Sequence, residues 1–143
     1  MEGNTLEKGI DLSIIIPLYN TPLVYLKECL ESIVKANLRY TFEIIIVNDG
    51  STDERTNEYC AQLRQQGYQV VMQENKGLSA ARNTGIALAK GDYILPLDAD
   101  NKIRPAYITR SIQVLDNQPS VAVVPGARTA NDRTVGESSC VPA

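Results

Sequence analysis

Five short apolar runs, rich in Ile and Val, alternate along this chain with longer segments whose apolar residues recur every three or four positions. The runs cover residues 12–16, 42–47, 69–72, 93–97 and 121–124. Continuous apolar runs of this length are typical of strands buried on both faces of a parallel sheet. Strands that alternate with helices predict βαβ units with right-handed crossovers. The sequence therefore predicts an α/β fold, with a mostly parallel sheet and helices on both of its faces.

Four helices are expected between and after these strands. The first should begin at Thr21-Pro22, as N-cap and first helical residue, with an apolar stripe that runs from Leu23 through Ile33 to Val34. The other three are expected at about residues 52–66, at about 79–90 and from about 105 onward. In the third, Ala81 and Gly85 are four residues apart, a spacing that lets a helix pack closely on a sheet.

The patterning divides the chain of 143 residues into three parts. Residues 1–11 are a polar tail, and residues 12–125 carry all the alternating elements of one α/β domain. Residues 126–143 show little periodicity and much Gly, Ser, Thr and Pro, so a loop or frayed tail is expected there.

Composition excludes several classes of function. There is no histidine, and the three cysteines are far apart, which argues against a zinc site, a disulfide framework and any nucleophile that relies on histidine. The net charge of -3 argues against nucleic-acid binding. No apolar run approaches the roughly 20 residues of a membrane-spanning helix. These features predict a cytoplasmic protein, and peripheral attachment to the inner face of a membrane and self-association through an exposed sheet edge stay open.

The polar residues that follow the strands indicate where a ligand binds. In an open α/β sheet, ligands bind beyond the carboxyl ends of the strands. The sequence places residues 17–20, 48–53, 74–77 and 98–101 at those ends, and they include many polar side chains and glycines. Such a cluster is the arrangement expected around a nucleotide.

Asp98 and Asp100 form the sharpest of these motifs. Two carboxylates one residue apart, directly after a buried strand, make a compact anionic corner. Mg²⁺ and Mn²⁺ prefer oxygen ligands and usually share them with substrate phosphates. The alternative is an ordinary turn in which an Asp side chain caps the next helix.

Four further residues are candidates for contact with the nucleotide. Asp49 ends the second strand, where its carboxylate can accept a base N–H, although the surrounding Asn, Gly and Ser residues also suit a simple turn. Arg82, in the first turn of the third helix, either points at the nucleotide or is a solvated surface charge. Pro17 and Tyr19 either border a base or only end the first strand.

Taken together, these motifs resemble family 2 of the inverting glycosyltransferases, whose catalytic domain has the GT-A fold with a Rossmann-like nucleotide-binding half. The resemblance covers about residues 12–125 and rests on four ordered stretches, which are residues 13–20, 43–53, 75–85 and 91–100. Such a match implies a protein that binds a nucleotide-sugar donor, most often a UDP-sugar, and transfers the sugar with inversion to an acceptor hydroxyl on a saccharide or a lipid-linked molecule.

The resemblance also implies a role for each matching residue. Pro17, Tyr19, Asp49 and Arg82 fall where the family contacts the nucleoside. Asp98 falls where the family touches the ribose and diphosphate. Together with Asp100, it is also predicted to hold the metal. Asp100 falls where the family coordinates a divalent cation, Mn²⁺ or Mg²⁺, which neutralises charge on the departing nucleoside diphosphate.

One feature of the family is not matched. The general base of the family lies in an acceptor-binding half, after the metal motif, whereas this chain offers only Asp116, Asp132 and Glu137 beyond Asn101. None of the three has a context that matches the base, so the catalytic base is unassigned and a truncated catalytic domain is expected. The alternative is a non-catalytic nucleotide-binding module.

Two other classes fit less well. A receiver-like signalling domain would need an acidic pair after the first strand, where this chain has Pro17-Leu18-Tyr19-Asn20. A dinucleotide-binding dehydrogenase would need a Gly-x-Gly-x-x-Gly motif at the same place, and the chain has none there.

Overall fold

A computed structural model describes residues 9–118, 124–125 and 139–142 of the chain. For residues 124–125 and 139–142 it describes the backbone. The elements follow in the order β1 (Ile10–Leu18), α1 (Leu23–Ala36), β2 (Phe42–Asp49), α2 (Glu54–Gln65), β3 (Gln69–Gln73), α3 (Leu78–Leu88), β4 (Gly91–Pro96), α4 (Pro105–Asn117), β5 (Val124–Pro125) and β6 (Ser139–Pro142). No helix in this described part is long and apolar enough to cross a membrane.

The strands form one sheet in the order β3-β2-β1-β4-β6-β5. β1 pairs in parallel with β2 on one side and with β4 on the other, and β2 pairs in parallel with β3. In the register of the central strands, Ile14 lies opposite Ile44 and Leu95. The four parallel strands confirm the α/β fold with a mostly parallel sheet.

The direction of strand addition determines which face of the sheet each helix covers. The chain moves outward from β1 to β2 to β3 and then returns to the far side of β1 to form β4. Because parallel crossovers are right-handed, the reversal puts α3 on the face opposite to α1 and α2. The packing agrees: Ile14 belongs to the core cluster that contains Leu26 of α1 and Leu63 of α2, whereas its neighbour Ile15 packs in the cluster of Ala81 on α3.

Close packing of α3 on the sheet follows from two small residues. Ala81 and Gly85 are both buried, as their spacing predicts. A Cβ atom built on Gly85 would lie 2.4 Å from Cγ2 of Ile15 and 3.4 Å from Cγ2 of Val47. The helix backbone therefore rests directly on β1 and β2, and only a residue without a side chain fits at position 85.

The helix boundaries differ from prediction at a few residues. Pro22 is the N-cap of α1 rather than its first residue, and Val34 is exposed rather than part of the apolar stripe. α3 begins at Leu78, one residue before the predicted start, and its N-cap is Gly77, whose φ of 100° suits glycine. The same helix ends at Leu88, two residues early, and Gly91 already begins β4.

The carboxyl-terminal stretch contains a short strand. Residues 126–143 were expected to be a loop or a frayed tail, yet Ser139–Pro142 pair with β4 as an antiparallel strand, β6, and also with β5. A strand of four residues is too short for an alternating pattern to reveal it, and its pairing comes from long-range contacts. Of the predicted fifth strand, Val124 lies in β5, and residues 121–123 lie outside the described residues.

Candidate functional site

A pocket of about 430 Å³ opens at the carboxyl ends of β1 and β4. This is the point at which the order of strand addition reverses, where ligands bind in open α/β sheets. Four of the predicted site residues line the pocket: Pro17 and Tyr19 from the end of β1, and Asp98 and Asp100 from the segment after β4. The remainder of the lining consists of Leu18, Asn20, Thr21, Pro22, Tyr25, Leu78 and Ala99.

Arg82 reaches the pocket through an ion pair. Its guanidinium donates a hydrogen bond of 2.8 Å to the Asp98 carboxylate, and the two side chains are 33% and 37% exposed. Arg82 is thus an ion-paired, partly exposed residue beside the pocket. The ion pair places a cation directly beside the anionic corner, where it orients Asp98 and partly offsets its charge.

The segment that carries Asp98 and Asp100 is a tight turn held against α1. The turn is closed by a main-chain hydrogen bond, from the Asn101 N–H to the Asp98 carbonyl at 2.9 Å. The thiol of Cys29 also points at the Asp98 carbonyl, at 3.8 Å, and the hydroxyl of Ser32 accepts from the Ile103 N–H at 3.1 Å. Since neither carboxylate closes the turn or caps α4, both are left facing the pocket.

The two carboxylates give the pocket a negative potential. Burial raises the pKa of the Cys29 thiol to about 12, and the charges of Asp100 and Asp98 add to that increase. Asp100 is exposed, and it makes no hydrogen bond or ion pair with another residue of the described chain. A negative corner of this kind attracts a cation rather than a bare phosphate.

The residues at this corner fit a divalent cation that is shared with a ligand. Within the described ranges no group of three or more carboxylate, thiol or imidazole side chains comes together, so the protein offers no complete cage. Mg²⁺ commonly takes one or two carboxylates and completes its shell with water and substrate phosphates. Asp100, together with the Asp98 oxygen that Arg82 leaves free, matches that pattern.

Asp49 lies outside the lining of the pocket, at the end of β2. It is fully buried, and its carboxylate accepts four hydrogen bonds from residues 73–77. The donors are Gln73 Nε2 and Lys76 N, both at 2.9 Å from Oδ1, and Asn75 Nδ2 at 3.1 Å and Gly77 N at 2.9 Å from Oδ2. A base N–H can bind Asp49 only by exchange with one of these four bonds.

The hydrogen bonds also determine the charge state of Asp49. Burial by itself raises the pKa of this carboxyl group, but the bonds from Gln73, Lys76 and Gly77, with the positive charge of Lys76, bring it below its ordinary value of 3.8. Asp49 is therefore an anion at neutral pH, which leaves both carboxylate oxygens free of a proton to accept these four bonds. It organises the loop that leads into α3, and thereby the start of the helix that carries Arg82.

Sequence reasoning missed two apolar residues of the pocket. Tyr25, from the first turn of α1, and Leu78, the first residue of α3, both line it although they come from opposite faces of the sheet. The helical spacing of α1 excludes Tyr25 from the buried stripe. An exposed aromatic residue near the end of a strand is therefore the one sequence signal that could have indicated its place in the pocket. No comparable signal marks Leu78.

Among the described residues, no carboxylate beyond Asn101 lines the pocket. Of the three carboxylates beyond Asn101, only Asp116 lies within the described residues, where it accepts a hydrogen bond from the Tyr93 hydroxyl. It does not line the pocket. Asp132 and Glu137 lie outside the described residues.

Known proteins resemble this chain in both sequence and fold. The family model described as glycosyl transferase family 2 matches residues 13–139. Glycosyltransferase GlyG of Streptococcus pneumoniae is 39% identical over 116 residues, which are 79% of this chain and 38% of that protein. The putative glycosyltransferase EpsH of Bacillus subtilis is 35% identical over 115 residues, 78% of this chain and 32% of its own length. The chain thus spans well under half the length of these relatives.

Solved structures show the same fold. Residues 1–349 of S. aureus TarS, in complex with UDP-GlcNAc, align with a TM-score of 0.70 and 26% identity over 87% of this chain and 36% of that one. A mannosyltransferase from Pyrobaculum calidifontis, in complex with GDP-Man and Mn²⁺, aligns with a TM-score of 0.72 over 95% of this chain and 45% of that one. At 19% identity, the second likeness concerns the fold alone. The sheet reversal, the pocket at its carboxyl edge and these matches lead to one conclusion: the chain belongs to glycosyl transferase family 2 and has the GT-A fold.

Proposed function

We propose that this chain binds the nucleotide part of a UDP-sugar at the carboxyl ends of β1, β2 and β4, as the donor site of an inverting glycosyltransferase. The observation that carries the proposal is the convergence of Pro17, Tyr19, Asp98 and Asp100 on one pocket at the reversal point of the sheet. The UDP-GlcNAc complex of TarS, which is similar in both sequence and fold, supports a uridine donor. Residues 12–125 form the donor-binding unit in this proposal.

The pocket offers a different chemistry to each part of the donor. Tyr19 and Pro17, which both line the pocket, flank the nucleoside, and the ring of Tyr19 can stack on a base. Arg82 holds Asp98 in the orientation needed to meet the ribose and the diphosphate. Asp49 joins these contacts when a base N–H replaces one of its four protein donors.

Asp100, with Asp98, would hold a divalent cation, Mn²⁺ or Mg²⁺. When bound, such an ion supplies Lewis-acid stabilisation of the charge that builds up on the leaving diphosphate. The protein side of that role is electrostatic: two carboxylates in a corner attract the cation, and Arg82 limits the negative charge that would otherwise repel the diphosphate.

Transfer itself also needs an acceptor, such as a saccharide or a lipid-linked hydroxyl compound, and a base to take its proton. The base is unassigned in this chain. The alternative function, a nucleotide-binding module without transfer, is favoured because no carboxylate other than Asp98 and Asp100 lines the pocket among the described residues. Incubation with UDP-GlcNAc and analysis of the released sugar by NMR distinguishes the two functions. An inverting transferase first yields a single anomer, whose configuration is opposite to that of the donor, whereas a binding module releases no sugar.

Calorimetric titration of UDP, with and without Mn²⁺, tests the donor site. We expect binding that requires the metal in the wild type and a loss of about tenfold or more in affinity in Asp100→Ala, because one of two charged metal ligands is removed. Asp92→Ala is the matched control. Asp92 is an exposed carboxylate at the amino-terminal end of β4, the strand that precedes Asp98 and Asp100. Equal binding in Asp100→Ala and the control, or no binding by folded wild type, would contradict the proposal.

A further inference from the structure

Asn20 connects the two loops that follow β1 and β2. Its Oδ1 accepts hydrogen bonds from the main-chain N–H groups of Thr52, at 2.8 Å, and Asp53, at 2.9 Å. Its Nδ2 donates to the Thr52 hydroxyl at 3.1 Å, and its own N–H donates to the Ser51 hydroxyl at 2.9 Å. Four hydrogen bonds from one residue thus fasten the end of β1 to the segment between β2 and α2.

The backbone of Asn20 is as specialised as its side chain. Its φ of 50° lies in the left-handed region, which only one other non-glycine residue of the described chain, Asn37, adopts. Asn tolerates this conformation better than most residues, yet glycine adopts it at no steric cost. The turn alone would therefore accept glycine, and the hydrogen bonds of the side chain are what glycine cannot supply.

These bonds are not needed to start α2. Asp53 already caps that helix, because its carboxylate accepts from the Arg55 N–H at 3.1 Å. A second side-chain amide, that of the buried Asn48, holds the other side of the same segment by accepting from the Ser51 N–H at 3.0 Å. Residues 51–53 are thus a fixed platform, and Asn20 is the residue that attaches the β1 loop to it.

The attached loop forms one wall of the pocket. Tyr19 precedes Asn20 and Thr21 follows it, and all three line the pocket together with Asp98 and Asp100. Tyr19 is 44% exposed, so few packing contacts hold its ring in place. The main-chain direction on either side of Tyr19 is determined instead by β1, by the hydrogen bonds of Asn20 and by a bond of 3.3 Å that the Thr56 hydroxyl donates to the Thr21 carbonyl.

We propose that Asn20 is a positioning residue for the donor pocket. By attaching the β1 loop to residues 51–53, Asn20 holds Tyr19 in the position that contacts the nucleoside before the ligand binds. This inference rests on the proposed function, since it assigns a cause to the nucleoside affinity of the same site. Preformed contacts raise affinity because the loop is ordered before the ligand arrives.

The test compares Asn20→Gly with Asn37→Gly, which makes the same change at the other left-handed asparagine, away from the pocket. In Asn20→Gly we expect faster hydrogen exchange at the Thr52 and Asp53 amides and a rise of about tenfold in the Kd for UDP in the presence of Mn²⁺, because a misplaced contact group costs binding. Asn37→Gly should leave both unchanged. Thermal unfolding of each variant shows whether it is folded.

Asn20→Asp provides the conservative variant. Its oxygens still accept from the Thr52 and Asp53 amides, and the Thr52 hydroxyl can donate as well as accept. We expect it to restore slow exchange of both amides and the binding of uridine, a probe that carries no diphosphate to be repelled by the added charge.

The outcomes separate this inference from the proposed function. A wild type that binds no UDP overturns both. Suppose that the wild type binds UDP and that Asn20→Gly loses protection of the two amides but binds UDP equally well. That result overturns the inference alone. Weaker binding with unchanged protection of the Thr52 and Asp53 amides also overturns it, because Asn20 would then contact the nucleotide rather than position its neighbour.

Discussion

At the scale of the residue, the sequence leaves two roles open for Asp49, and the structure shows one of them. Its place at the end of β2 indicates contact with a ligand, and its neighbours indicate a turn. The structure shows a buried carboxylate whose four protein donors come from residues 24 to 28 positions further along the chain. The sequence does not identify such donors, because they reach Asp49 only when β3 and the loop that follows it are packed beside β2. Arg82 is similar, because its partner Asp98 lies beyond the next strand.

Asp49→Asn should therefore lower the free energy of unfolding at neutral pH by about 2–4 kcal/mol, because an amide NH₂ group would face buried donors. Chemical denaturation measures this loss. Asp92→Asn, at an exposed carboxylate, should change it little.

The same substitution has a defined pH dependence. Because the pKa of Asp49 is lowered in the folded state, its charge stabilises the protein above the ordinary pKa of 3.8 and ceases to do so as the pH falls through the lower, folded value. The difference in stability between wild type and Asp49→Asn should shrink below about pH 4. A difference that stays constant from pH 7 to pH 3 would contradict this account of Asp49.

At the scale of the element, hydrophobic patterning predicted the existence and type of β1 to β4 and α1 to α4. The strands are continuous apolar runs, and the helices have apolar residues every three or four positions. The patterning predicted the ends of these elements less well. α3 begins at Leu78 rather than at about residue 79, and its N-cap is Gly77, which has a positive φ and donates to Asp49. The strand β6 escaped prediction altogether, because its four residues depend on a partner strand and not on their own pattern.

The small residues of α3 give a prediction at this scale. Gly85→Ala should lower the free energy of unfolding by about 2 kcal/mol, because overpacking against the buried Ile15 outweighs a gain of about 1 kcal/mol in helix propensity. Asn83→Ala, at an exposed position of the same helix, is the control and should be neutral or slightly stabilising. Thermal or chemical unfolding measures both. A stabilised Gly85→Ala would show that α3 does not rest directly on β1.

At the scale of the whole molecule, the reversal of strand order between β1 and β4 creates the site. It brings the ends of distant strands to one edge of the sheet and puts helices from both faces, α1 and α3, beside the same pocket. Alternation of strands and helices predicted the sheet and the edge at which ligands bind. The strand order itself, and with it the contributions of Tyr25 and Leu78, required the three-dimensional structure.

The central claim is that a metal ion and a nucleotide bind together at this edge. Amide NMR spectra recorded during addition of Mn²⁺ with UDP test it most directly, because a paramagnetic ion broadens the signals of nearby residues. We predict broadening that is strongest at residues 98–101, extends to residues 18–20 and is absent without UDP or in Asp100→Ala. Broadening centred instead on the cleft between the end of α1 and the start of α4, at residues 36–39 and 105–110, would contradict the assignment of the site.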